Sequence, residues 1–363
     1  MNLKPKPGIL DITPYVGGRA EAPDGAPAVK LSSNESALGP SPLAVAAYEE
    51  ACRDLSFYPD GSARILRDAL AELHHLDPDR IVCGNGSDEL LSLLARIYAS
   101  AGDEVVFTEH AFLVYRIAAL ANSAVPVAVP ETDLRADVDR ILASITPRTR
   151  MVYLANPNNP TGSCLSGAEV RQLHAGLPPS VLLVIDAAYA EYVQRKDYEA
   201  GDVLVTQFDN VVMTRTFSKI YGLAGLRVGW AFCPASVADA LNRVRGPFNV
   251  SVPAQRAAVA ALRDREHVAR SIAHNETWKG WLIRSIRTST LRVGDSEGNF
   301  VLVHFPPGAH DAKAADAFLT ARGYILRPVA NYALPHCLRL TIGSEDANRG
   351  VAAAIADFMR QKQ

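Results

Sequence analysis

Thr214-Arg-Thr-Phe-Ser-Lys-Ile-Tyr-Gly-Leu-Ala-Gly-Leu-Arg-Val-Gly229 is the stretch on which the reading of this chain turns. The apolar run Val211–Thr214 leads into it and has the pattern of a buried strand. Lys219 then sits among hydroxyls (Thr214, Thr216, Ser218), small residues (Gly222, Ala224, Gly225) and one arginine, Arg227. Glycines permit close backbone approach to a bound group. Hydroxyls and a guanidinium fork suit a phosphate. A nearby arginine and desolvation lower a lysine's pKa, which makes its amine a nucleophile toward an aldehyde. Alone, Lys219 would be an ordinary solvated charge. Its surroundings single it out.

Further short apolar runs read as buried strands on either side: Ile81–Cys83, Glu104–Phe107, Ala124–Val129, Met151–Leu154, Leu182–Ile185 and Val228–Phe232. Helical patterns separate several of them, at Ser87–Ala99, Asp137–Ser144 and Ser166–Gly176. Asp88 and Glu89 suit the first turn of their helix. Strands alternating with helices predict an α/β fold with a mostly parallel, seven-stranded sheet. From Val252 to Arg287 the pattern changes to one long helix. Strand candidates Phe300–Phe305, Tyr324–Leu326 and Cys337–Ile342 and a last helix, Asp346–Gln363, then predict a smaller α+β domain. The expected division is an arm at 1–40 that joins the small domain, a large domain at 41–250 and a small one at 251–363.

Other motifs fall at strand ends. Asp186 closes Leu182–Ile185 and precedes Ala187, Ala188 and Tyr189. Open α/β sheets place their ligands at such ends. A buried carboxylate there can keep a ring nitrogen protonated. Asn156-Pro-Asn-Asn-Pro-Thr-Gly162 follows Met151–Leu154; it makes a turn, and an asparagine in it can donate to a phenolate oxygen. Gly84-Asn-Gly-Ser-Asp-Glu89 puts glycines before a helix N-terminus, an arrangement that binds anions.

Composition sets the bounds. The chain has 363 residues, 48% of them hydrophobic, enough for a large core. Net charge is −2, so nothing global attracts nucleic acid or an anionic membrane. The Arg263–Arg270 cluster, interleaved with Asp264 and Glu266, reads as a solvated helix face. Five widely spaced cysteines argue against a disulfide framework or a zinc site and predict buried thiols in a reducing compartment. No signal peptide or membrane span is expected, and no metal. The expected location is the cytoplasm.

In this order, from Asp11-Ile-Thr-Pro-Tyr15 to Arg339-Leu-Thr-Ile-Gly343, the motifs resemble those of the fold-type I pyridoxal-phosphate aminotransferases, and of the histidinol-phosphate branch above all. The lysine segment and the Asn-Pro run are the specific ones. The resemblance implies pyridoxal 5′-phosphate as cofactor, with Lys219 as the catalytic residue, holding it as a Schiff base and later shuttling a proton. It implies Asp186 at the pyridine nitrogen, Tyr189 and Asn159 at O3′, and Phe112 stacked on the ring. The phosphate falls to Ser87, the Asp88 amide, Thr216, Ser218 and Arg227. Tyr58 would reach the phosphate of the other subunit, which implies a homodimer with shared active sites. Tyr15, Asn34, Arg327 and Arg339 match substrate-pocket residues.

The implied reaction is transamination of L-histidinol phosphate with 2-oxoglutarate, giving glutamate, in histidine biosynthesis. Two arginines can grip the donor's phosphate, while one suffices for the carboxylate of the second substrate. There are departures: Asn34-Glu-Ser-Ala37, His110-Ala-Phe112, Asp186-Ala-Ala-Tyr189 and Pro247-Phe-Asn249 stand where the family has Asn-Glu-Asn-Pro, Pro-Thr-aromatic, Asp-Glu-Ala-Tyr and Pro-Tyr-Asn. None removes a cofactor-binding group; several border the substrate pocket. An aromatic or broad-specificity aminotransferase, a threonine-phosphate decarboxylase and a non-catalytic binding protein of the same fold therefore stay open.

Overall fold

The computed structural model describes residues 3–21, 25 and 27–361. The first strand, β1 (Val29–Lys30), lies in the arm. Seven more follow: β2 (Ile81–Gly84), β3 (Glu104–Thr108), β4 (Val125–Val129), β5 (Thr149–Ala155), β6 (Leu182–Asp186), β7 (Val211–Thr216) and β8 (Gly229–Phe232). They form one sheet in the order β2-β8-β7-β6-β5-β3-β4. The strands from β7 to β4 pair in parallel, and β8 runs antiparallel to both neighbours. This is the mostly parallel seven-stranded sheet the sequence predicts.

The central strands are apolar on both faces, as a parallel sheet covered on both sides requires. Val152, Leu154, Leu183, Ile185, Val211 and Met213 feed one core. Their alternates Met151, Tyr153, Leu182, Val184 and Val212 feed the other. Helices α1 (Pro42–Ala51), α2 (Arg64–His74), α5 (Val138–Ala143), α6 (Gly167–Gly176) and α7 (Asp202–Gln207) pack on the first face. Helices α3 (Ser87–Tyr98), α4 (Val114–Ala121) and α8 (Ala235–Val244) pack on the second. β4 departs from the buried pattern expected of it: Val125 is 44% exposed, because the strand lies at the edge of the sheet.

The long helix expected over Val252–Arg287 is two helices, α9 (Val252–Arg263) and α10 (Arg265–Arg287). They break at Asp264 (φ −80°, ψ 69°), whose carboxylate accepts from the His267 amide as the N-cap of α10. Asp264 is thus a cap rather than part of a solvated face. The small residues Ala254, Ala257, Ala258 and Ala261 seat α9 in the core of the large sheet beside Ala44 of α1. α10 begins on that core at Val268 and ends in another at Trp278, Leu282 and Ile286. We propose that the boundary between the two units runs within α10 rather than at residue 250.

A third core surrounds an antiparallel sheet, in the order β12-β13-β10-β9. Its strands are β9 (Arg292–Val293), β10 (Phe300–His304), β12 (Arg327–Pro328) and β13 (Cys337–Thr341). Helices α11 (Ala312–Ala321) and α12 (Glu345–Arg360) cover it. The strand expected at Tyr324–Leu326 is present, one residue shorter, and a further short strand follows it. β11 (Tyr324–Ile325) pairs in parallel with β1 of the arm, and β12 returns to pair with β13. Leu31 follows β1 into the small core. Of the last helix, residues 362–363 lie outside the described residues. Among the described residues no helix is long and apolar enough to cross a membrane.

Candidate active site

The C-terminal ends of β5, β6 and β7, the N-terminus of α3, the arm and the strands β12 and β13 converge on one cavity of about 240 Å³. Tyr15, Asn34, Ser87, Asp88, Phe112, Asn159, Asp186, Tyr189, Thr216, Ser218, Lys219, Arg227, Arg327 and Arg339 all line it. Tyr58 does not. It is 81% exposed and stacks on Phe248 with ring centroids 4.6 Å apart.

Lys219 follows β7, and its Nζ donates to the Ser33 carbonyl of the arm at 3.2 Å. Burial, reinforced by the Arg339 charge and opposed by Glu35 and Asp88, lowers its pKa from 10.5 to about 8. Asp186 ends β6. Burial, with a small push from the Asp88 charge, raises its carboxyl to about 6 against two side-chain hydrogen bonds. Tyr115 donates to Oδ2 at 2.7 Å and Thr214 to Oδ1 at 3.4 Å. Thr214 therefore serves Asp186 rather than a phosphate: it lies deeper in β7 and is fully buried.

Four donors gather at the mouth of α3. Thr216 Oγ1 lies 3.0 Å from Ser218 Oγ, Arg227 Nη1 donates to Ser218 Oγ at 3.3 Å, and Arg227 Nη2 pairs with Asp88 at 3.1 Å. Gly86 is the N-cap of α3 and has no side chain to cap the amides of the first turn. The cup tolerates no side chain: a Cβ on Gly86 (φ +80°) would lie 2.3 Å from Arg227 Nη2, and one on Gly229 would lie 2.4 Å from the Ser87 amide. Free amides at a helix N-terminus, two hydroxyls and a guanidinium make an anion site.

The wall facing this cup is built from the arm and the small sheet. Arg327 and Arg339 face each other as register partners on β12 and β13. Both are buried. Arg339 donates to Asn159 Oδ1 and to the Ser32 carbonyl, the latter at 2.7 Å, while its buried Nε has no partner among the described residues. Burial lowers its pKa. Arg327 donates to the Val16 carbonyl at 2.7 Å and lies over the Tyr15 ring. Asn34 donates to the Tyr189 hydroxyl at 2.9 Å, which leaves that hydroxyl's proton free for another acceptor. Burial pushes the Tyr189 phenol up to about 12, against the pull of Arg339 and Asn34. Asn34 (φ +58°) and Arg227 (φ +52°) both hold left-handed backbone that non-glycine residues rarely adopt, and strain of this kind gathers at functional sites.

These residues fit pyridoxal 5′-phosphate: an amine with a lowered pKa, an acid at a strand end, and an anion cup that a single Cβ would fill. The sequence reading missed Tyr115, Ser32 and Ser33. Tyr115 lies just inside α4, three residues past Phe112, which precedes that helix, and its sequence neighbours give no sign of a contact with Asp186. Ser32 and Ser33 act through backbone carbonyls, which no side-chain pattern reveals.

The comparisons agree with this geometry. The family model for class I and II aminotransferases matches residues 26–355, and the chain belongs to that family of enzymes, whose members depend on pyridoxal 5′-phosphate. Within it, the chain is 55% identical over 360 residues to the histidinol-phosphate aminotransferase of Nitrobacter hamburgensis, covering 99% of each chain. It is 56% identical to that of Rhodopseudomonas palustris, covering 98% of each. Among solved structures it resembles the histidinol-phosphate aminotransferase of Sinorhizobium meliloti in complex with pyridoxal-5′-phosphate, at a TM-score of 0.89 and 29% identity, covering 97% of this chain and 96% of that one.

Proposed function

We propose that the chain transfers the amino group of L-histidinol phosphate to 2-oxoglutarate, giving imidazole acetol phosphate and glutamate, with pyridoxal 5′-phosphate as cofactor. Ser87, the Asp88 amide, Thr216, Ser218 and Arg227 hold the cofactor phosphate. Asp186 pairs with the ring nitrogen, Tyr189 and Asn159 donate to O3′, and Phe112 covers one face of the ring. Bound there, the cofactor supplies an electron sink that stabilises negative charge at the substrate's Cα. Lys219 Nζ would take the proton from that Cα and hold it for return to the bound group. A neutral amine is needed for this step, and the lowered pKa of Lys219 provides one.

The observation that carries the substrate is the pair Arg327 and Arg339 on adjacent strands. Two buried guanidiniums facing one cavity suit a phosphate dianion, and one of them suffices for the carboxylate of 2-oxoglutarate or glutamate. The 55% identity to a protein of that name supports the same choice. Tyr58, exposed and outside its own cavity, supports a homodimer in which it enters the partner's site. The free cysteines fit a reducing compartment such as the cytoplasm.

A substrate panel read by glutamate formation tests the reading. The expected kcat/KM is highest for histidinol phosphate; a much higher value for phenylalanine would replace it with an aromatic aminotransferase. Carbon dioxide release from threonine phosphate would replace it with a decarboxylase. Lys219→Ala should lose the cofactor's visible band near roughly 400 nm and nearly all turnover, and normal turnover would refute the mechanism.

A further inference from the structure

Asp186 is held by a residue that touches no part of the cavity. Tyr115, in the first turn of α4, donates to Asp186 Oδ2 at 2.7 Å and is fully buried. Its ring lies parallel to that of Tyr153, with centroids 4.6 Å apart and 4° between planes. The Tyr153 hydroxyl is tied to the Leu91 carbonyl of α3 at 2.7 Å. On the other side Phe112, which lines the cavity, meets Tyr115 edge-on at 6.0 Å and 88°. Close-packed interiors hold such rings in one rotamer, so the phenol has a single direction in which to donate.

The second side-chain contact to Asp186, from Thr214 at 3.4 Å, is long for an O–H···O bond. The short, charge-assisted bond from Tyr115 is therefore the one that fixes the plane of the carboxylate. It also favours the ionised form against the cost of burial. The same ring backs the side chain expected over the cofactor.

We propose that Tyr115 is a positioning residue for the transamination. It orients Asp186 as an anion toward the cofactor's ring nitrogen and braces Phe112 at the same time. This rests on the cofactor reading given above. It acts on the chemical step, not on the amino donor, because Tyr115 lies behind the acid and outside the cavity.

Tyr115→Phe keeps the ring and its stack and removes only the hydroxyl. Losing a hydrogen bond to a charged group should weaken retention of pyridoxal 5′-phosphate on dialysis of the holoenzyme by about tenfold. The kcat should fall by a similar factor, with KM for the amino donor changed less than about twofold. In an Asp186→Asn background the same substitution should shift cofactor affinity less than about twofold, since its route through the carboxylate is gone. Wild-type affinity and kcat in Tyr115→Phe would overturn the proposal, and so would a full tenfold loss that persists beside Asp186→Asn, which would mark plain packing. A wild-type protein that binds no pyridoxal 5′-phosphate would overturn the cofactor reading and this role with it.

Discussion

Lys219 reacts with an aldehyde only when its amine is neutral. At the ordinary value of 10.5, about one lysine in 3,000 is neutral at pH 7; at about 8, roughly one in ten is. The first cause is burial and the second the charge of Arg339, so the gain belongs to the folded site. The rate at which cofactor-free protein takes up pyridoxal 5′-phosphate should accordingly rise with pH around a midpoint of about 8. A rate that keeps climbing to pH 10 would show an unperturbed lysine. Asp186 shifts the other way, from 3.8 to about 6. Its folded pKa lies above its unfolded one, so the protein binds this proton more tightly when folded. In the cofactor-free protein the stability that follows is complete below pH 3.8 and is lost as pH rises to about 6, a cost of about 3 kcal/mol. A positively charged ring nitrogen offsets it. Added pyridoxal 5′-phosphate should therefore raise the melting temperature more at pH 7.5 than at pH 5, by scanning fluorimetry; an equal or larger rise at pH 5 contradicts the assigned role. Asp186 was legible because it closes an apolar run, and Lys219 because hydroxyls, small residues and an arginine surround it in the sequence. Tyr115 was not, because only the pairing of β5 with β6 and the packing of α4 bring a helix residue under the acid.

At the scale of elements, the strands were the easiest to read. A strand covered on both faces is a short apolar run bounded by polar residues, and six of the seven strands of the large sheet are of that kind. The break between α9 and α10 was harder. Asp264 lies in a charged stretch that satisfies a helix surface equally well, and its capping bond to His267 appears only when the backbone turns. The partner of Tyr324–Ile325 was hidden for another reason: β1 lies almost 300 residues away, and the pairing is non-local. Asp264 has a second task. It accepts from the Ser41 hydroxyl at 2.6 Å, and Ser41 is itself the N-cap of α1, so one carboxylate joins the caps of two helices. Asp264→Ala should cost about 1–2 kcal/mol in urea unfolding, with kcat and KM unchanged because neither helix end reaches the cavity. A loss under about 0.3 kcal/mol would show that α10 starts without this cap.

At the scale of the molecule, the large unit carries Lys219, Asp186 and the anion cup, the small sheet carries the two arginines, and the arm brings Tyr15 and Asn34. α10, about 35 Å long, spans both cores and sets the distance between them. The remaining surface carries a group of exposed apolar side chains near Tyr58. Leu55, Phe57, Tyr58 and Phe248 are 46–81% exposed, and the last two stack on each other. Apolar surface of this kind marks an interaction site. If Tyr58 enters the partner's cavity, each site of a dimer needs Lys219 from one chain and Tyr58 from the other. Lys219→Ala alone removes the amine, and Tyr58→Ala alone weakens the hold on the phosphate in both sites. A mixed dimer of the two variants keeps one intact site, because the Tyr58→Ala chain retains Lys219 and receives Tyr58 from its partner. Unfolding and refolding the variants together makes half the dimers mixed, so about a quarter of native activity should return at limiting cofactor. Activity that stays at the mean of the two parents would place Tyr58 outside the partner's site, whatever the mass of the assembly.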